Sequence, residues 1–174
     1  MQVGHTRRTF LQVASASVLA AAWPCEAAEV TRWPAKEPIR TLDLEDLSGR
    51  RWSLPGLRGR AVLLNFWASW CEPCRAEMPT LQQLVELYGD DKLTVLAINF
   101  KEPRTTAERF AKRSGLNLPV LLDPAGDIAR QWNVKVFPTT IAIAADGTPK
   151  WRARGEVDWS TAESGRMVEA LFPR

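Results

Sequence analysis

Histidine is almost missing from this chain. The single one, His5, lies close to the start, so removal of an N-terminal leader would leave no imidazole. That excludes Ser–His and Cys–His nucleophilic catalysis and every His-bearing metal site. Cysteine is scarce as well: Cys25, Cys71 and Cys74 are the only three. With Cys25 gone, two thiolates cannot build a four-thiolate zinc or iron–sulfur site within one chain. Haem attachment through C-x-x-C-H is excluded because Arg75 follows Cys74. A large charge excess is also missing. The chain carries a net +3, and removing Arg7, Arg8 and Glu26 with a leader leaves 21 basic and 19 acidic residues. That balance argues against a nucleic-acid or acidic-membrane partner.

What stands at the N-terminus is a processing signal rather than fold. Arg7 and Arg8 lead into the apolar run Leu11 to Trp23, and small residues follow at Ala27 and Ala28. Charge, apolar run and small-residue site in that order read as an export leader over residues 1–28. The Arg–Arg pair before Phe10-Leu11 fits either the twin-arginine variant or an ordinary leader. The run is well short of the ~20 residues of a spanning helix. Cys25 follows Trp23-Pro24, a poor context for lipid attachment, and is expected to leave with the leader. Residues 29–37 then form an extended lead-in, and residues 38–174 a single domain.

Along that domain, Ile39 to Leu44 alternates apolar and polar, Ser48-Gly49 signals a turn, and Arg51 to Leu54 returns, which predicts a hairpin. Ala61 to Trp67 is a nearly continuous apolar run, the mark of a strand covered on both faces. From Pro73 to Tyr88, Met78, Leu81, Leu84, Val85 and Tyr88 recur at helical spacing, with Pro79 expected to kink the helix and Gly89 to end it. Leu93 to Asn99 is a second buried strand, Thr105 to Ser114 a helix, Leu118 to Leu122 a strand, and Pro124 to Trp132 a short helix. Thr139 to Ala144 and Lys150 to Arg154 form a hairpin about Asp146-Gly147. A last helix starts near Asp158, with Ser160 and Glu163 as its capping box. This order describes an α/β sandwich with a mixed central sheet.

Cys71 and Cys74 sit where the first buried strand gives way to a helix. Unpaired N–H groups and the macrodipole at a helix N-terminus favour a thiolate there. Three residues make nearly one turn, so the two sulfurs share a face and can close a small ring. Cys71 would then attack a disulfide and Cys74 would resolve the mixed intermediate. Two other readings stand beside this one. A structural disulfide across two residues removes little unfolded-state entropy, and the pair can also be half of an intermolecular metal site.

Phe66-Trp67-Ala68-Ser69-Trp70-Cys71-Glu72-Pro73-Cys74-Arg75 resembles the active-site segment of thioredoxin-like proteins. Continued through Glu77-Met78-Pro79, it is most similar to exported thiol–disulfide reductases of the TlpA/ResA type. The resemblance runs from about Ile39 to Trp159. It implies a thioredoxin-like fold with an N-terminal hairpin extension, in the periplasm, and redox chemistry by the cysteine pair without a further cofactor. It implies a cis-proline at Pro138, matched within Val136 to Thr140. It also implies that Trp70, Pro73, Phe137, Pro138 and Thr139 face the target. Thioredoxins bury an aspartate where this chain has Asn65. The exported reductases supply an acid after the next strand, which assigns the proton acceptor to Glu102; a carboxyl buried beside a thiol suits proton exchange near neutrality.

The partners so implied are disulfide-bearing exported proteins, apocytochrome c among them, and a membrane thiol donor, since an exported compartment is oxidising. The protein is expected to be a monomer. No histidine lies between the cysteines, unlike in strong periplasmic oxidants, which favours the reductase direction. Two alternatives use the same residues: a Cu(I) or metal-site assembly module on this fold, and a peroxidase, for which the Pro-x-x-x-Thr-x-x-Cys motif is absent.

Overall fold

The computed structural model describes residues 28–173. Residues 1–27, which hold His5, Cys25 and nearly all of the expected leader, lie outside the described residues. The lead-in contributes β1 (Glu29–Arg32), and the domain opens with the hairpin of β2 (Asp43–Glu45) and β3 (Arg51–Ser53). Then come β4 (Ala61–Trp67), α1 (Glu72–Tyr88), β5 (Leu93–Phe100), α2 (Arg104–Ser114), β6 (Val120–Asp123) and α3 (Asp127–Gln131). The chain closes with β7 (Thr139–Ile143), β8 (Pro149–Arg154) and α4 (Ala162–Glu169).

The six-stranded sheet has the order β1-β8-β7-β4-β5-β6. β4, β5 and β6 run parallel, while β7, β8 and β1 add antiparallel pairings. The parallel part explains the unbroken apolar run of β4, in which all seven residues are buried. Successive side chains of β4 go to opposite faces. Leu63 and Trp67 join a core with Met78, Leu81 and Leu84 of α1, Ala107 of α2 and Val168 of α4. Val62, Leu64 and Phe66 join a second core with Leu42, Trp52, Ala129 and Trp132. Asn65 shares the parity of Leu63 and Trp67, so this buried polar residue faces α1.

Three expectations are refined. The hairpin strand begins at Asp43, later than Ile39, and is short on both sides. Asp46 anchors it: its carboxylate accepts hydrogen bonds from the N–H groups of Ser48 and Arg50, the Ser48 hydroxyl and the Trp52 indole. The lead-in is extended, but Glu29–Arg32 pairs with β8, and the Arg152 guanidinium lies over the Trp33 ring at 4.6 Å. Alternation is weak over residues 29–32, so only the available sheet edge shows where they go. The last helix starts at Ala162, not near Asp158. Thr161 is its N-cap and accepts from the Ser164 N–H, while Ser160 bonds to Asp158 in a turn. The expected Ser160–Glu163 box therefore loses to a competing side-chain turn. Pro79 lies inside α1 without ending it.

Candidate active site

Cys71 and Cys74 are joined by a disulfide, with Cα atoms 5.3 Å apart. Cys71 is the N-cap of α1, and the Cys74 N–H donates to Cys71 Sγ at 3.3 Å. The same N–H, with the dipole of a 17-residue helix behind it, is placed to stabilise a thiolate once the bond opens. Cys71 is 6% exposed and Cys74 fully buried. An incoming sulfur therefore reaches Cys71 first. Among the described residues, no group of three His, Cys, Asp or Glu side chains could hold a metal ion.

Behind the disulfide lies a group the sequence reading passed over. Glu77 is three residues beyond Cys74 on the buried face of α1 and is 1% exposed. Asn65 Nδ2 donates to its Oε1 at 2.5 Å and to the Thr140 hydroxyl at 3.0 Å. The Val157 N–H donates to its Oε2 at 3.2 Å. Burial pushes the Glu77 pKa up to about 8. The donors of Val157 and Asn65 and the nearby Trp159 indole offset only part of this, and the charge of Glu156 adds to the rise. At neutral pH Glu77 thus keeps its proton, one helical turn from Cys74. Asn65, which cannot take a proton itself, holds the residue that can. The signal was present in the sequence: carrying the α1 stripe back from Leu84, Leu81 and Met78 reaches 77 and 74, and a carboxyl on that stripe is anomalous.

Glu102 takes a different place. It is buried, and its Oε2 accepts from the Ser69 N–H and from Asn99 Nδ2, both at 2.7 Å. Oε1 accepts from the Ser69 hydroxyl at 2.5 Å. Three donors thus converge on the carboxylate and fix the residue two before Cys71. Hydrogen bonds to a charged acceptor contribute ~1.5–3 kcal/mol each, and the loss of one buried partner is only partly recovered. Glu102→Gln puts an amide N–H₂ against one of these donors. We expect a stability loss of ~1–3 kcal/mol in urea unfolding of the oxidised protein; a change under ~0.5 kcal/mol would show that the contacts are expendable.

The surface beside Cys71 is aromatic. Trp70 is 65% exposed and Val136 48%. Phe137 bridges Trp70 at 6.0 Å and Phe100 at 4.6 Å between ring centroids. Gly126 has φ +72°, and a Cβ there would meet the Phe100 ring at 2.8 Å, so glycine keeps Phe100 seated. The Phe137–Pro138 bond is cis, as the resemblance implies. Pro138 and Thr139 are buried, with the Thr139 hydroxyl donating to the Val136 carbonyl. Pro73 is exposed in the first turn of α1. Trp67, by contrast, is fully buried against Phe110.

The model of the AhpC/TSA family matches residues 35–152. The thiol-disulfide oxidoreductase ResA of Geobacillus kaustophilus is 36% identical over 130 residues, which is 75% of this chain and 74% of that protein. The protein of that name from Bacillus subtilis is 36% identical over 104 residues, 60% of this chain and 58% of that relative. Among solved structures, a DsbF homologue from Corynebacterium diphtheriae shares 30% identity with a TM-score of 0.71, over 82% of this chain and 92% of that one. A thiol:disulfide interchange protein of Chlorobium tepidum shares 25% with a TM-score of 0.69, over 77% and 94%. A helix-capping disulfide, a buried carboxyl behind it and these relatives agree: the chain belongs to the AhpC/TSA family and is a thioredoxin-like thiol–disulfide oxidoreductase of the TlpA/ResA type.

Proposed function

We propose that this enzyme works in the periplasm as a reductase of disulfides in exported proteins, with apocytochrome c as one candidate client. The observation that carries the reading is the pairing of a helix-capping Cys71 with a buried Glu77 one turn beyond Cys74. In the reduced enzyme the Cys71 thiolate attacks one sulfur of the client disulfide, and the other client sulfur leaves as a thiolate. Cys74 then loses its proton and attacks Cys71 Sγ, which releases the second client thiolate and closes Cys71–Cys74. Two electrons have moved from the enzyme dithiol to the client. Reopening requires a thiol donor, which we place at the membrane. Its attack on Cys71 makes Cys74 the leaving thiolate, and Glu77 hands it a proton. The carboxylate so formed takes that proton back when Cys74 next attacks.

Glu77 thus takes the proton role that the sequence reading gave to Glu102, and Glu102 fixes the loop carrying Trp70 and Cys71. Exposed Trp70 and Val136, with half-buried Phe137 between them and exposed Pro73 nearby, offer apolar contact to an extended client segment, while buried Pro138 and Thr139 support Phe137 from below. Export is supported by the leader-like residues 1–28, and among the described residues no helix is long and apolar enough to cross a membrane.

Equilibration with glutathione buffers, followed by Trp fluorescence, tests the direction. A reductase is expected between ~−200 and ~−270 mV or lower, whereas a value near ~−120 mV belongs to a strong oxidant and rejects this reading.

A further inference from the structure

Between α1 and α2 runs a groove of about 850 Å³. Its near end is Ser69, two residues before Cys71, and Met78 and Phe110 contribute apolar lining. Arg75 of α1 and Arg109 and Arg113 of α2 stand around it, all exposed. None of the three makes a salt bridge with a carboxylate of the described residues. Arg104 on the same helix differs, being held by Glu108 at 2.8 Å. Among the described residues lining the groove, Glu86 alone carries a carboxyl; it sits at the far end and accepts from Gln82 at 3.3 Å.

What sets this groove apart is that three guanidiniums gather around it against a single lining carboxyl. Arg109 and Arg113 are four residues apart, about 6 Å along the helix, where like charges disfavour the helix bearing them. An external anion would relieve this. Guanidiniums grip carboxylates in paired hydrogen bonds, and the apolar lining between them suits a peptide better than a free ion. We propose that the groove takes an acidic segment of the disulfide-bearing partner, the stretch that flanks its cystine. The inference rests on the thiol–disulfide reading and names the chemistry of the partner. From Arg75 to Glu86 the helix advances about 16 Å, which an extended chain covers with about five residues. Docking moves no electrons. It raises the encounter rate at Cys71 and makes that rate sensitive to salt.

Two synthetic peptides test this. They share one intramolecular disulfide and differ in a five-residue flank, Asp/Glu in one and Asn/Gln in the other. Stopped-flow Trp fluorescence gives their rates with the reduced protein. The acidic peptide should react roughly tenfold faster at low salt, with the advantage falling below about twofold near ~0.5 M. Arg109→Gln/Arg113→Gln should remove most of the advantage and leave the neutral peptide's rate unchanged. In parallel, a cysteine-free acidic peptide is titrated into the oxidised protein by fluorescence anisotropy. It should bind about three- to tenfold more weakly to the double variant. Equal rates for the two peptides, or an advantage that survives in the double variant, overturn the groove. If neither peptide reacts, the thiol–disulfide reading fails instead, and the anisotropy titration alone decides the groove: equal binding by wild type and variant rejects it.

Discussion

Cys74→Ala turns the enzyme into a trap. The variant should hold its client as a stable mixed disulfide on Cys71, and its turnover should fall by on the order of 10³ or more, as when one member of a catalytic unit is removed. The cause is positional. Cys71 caps α1 at the surface and keeps its activating environment in the variant, because the Cys74 N–H that donates to it belongs to the backbone. Cys74 is fully buried one turn inward, bonded to the Cys71 sulfur. Without it, the captured client leaves only when an outside thiol attacks. Non-reducing gels and mass spectrometry of extracts from cells expressing the variant should show adducts of defined mass that dithiothreitol releases. Cys71→Ala should form none, since its remaining thiol is out of reach. Equal trapping by the two variants would break the assignment of attacking and resolving sulfur. The captured client also bears on the arginine groove: an acidic stretch beside its cystine is the expected feature.

The second large effect concerns pH. Glu77 titrates near 4.5 in an unfolded chain and at about 8 in the folded one. Between these values the folded protein keeps a proton that the unfolded chain has released. The unfolded state then binds fewer protons, so stability falls as pH rises. The contribution is complete below about pH 4.5 and is lost as pH rises through about 8. Each pH unit in that window costs about 1.4 kcal/mol, so the whole fall is on the order of 4–5 kcal/mol. Other groups do not mask it. Asp46 is buried, which opposes its charge, but its hydrogen bonds prevail and lower its pKa; its stability is lost only as pH falls through the acid range. The described residues contain no histidine. Urea unfolding of the oxidised protein at pH 5 and pH 8 should therefore show a large loss in wild type and a nearly flat response in Glu77→Gln. The same substitution should slow resolution by Cys74 by about 10²-fold or more, the scale of a lost proton-transfer partner. A wild-type stability that does not change between pH 5 and pH 8 would falsify the buried, protonated Glu77.

The sequence by itself determined where the reactive cysteine pair sits and most of the element order. The spacing of Cys71 and Cys74 at a strand-to-helix boundary and the unbroken apolar run of Ala61–Trp67 are local features, and local features are what periodicity and spacing express. Partnerships between distant segments were decided only by the tertiary structure. Glu29–Arg32 becomes a strand because β8 offers it an edge; Thr31 pairs there with Arg152, 121 residues along the chain. Asn65 and Glu77 are 12 residues apart, yet they meet only because β4 and α1 pack face to face, and Val157 arrives from 80 residues away. Glu102 reaches Ser69 across 33 residues. A carboxyl's protonation depends on how much water the rest of the fold removes from it and which donors the fold supplies. Those quantities belong to the packed chain and not to any stretch of it, which is why two glutamates that look alike in the sequence have different surroundings in the structure.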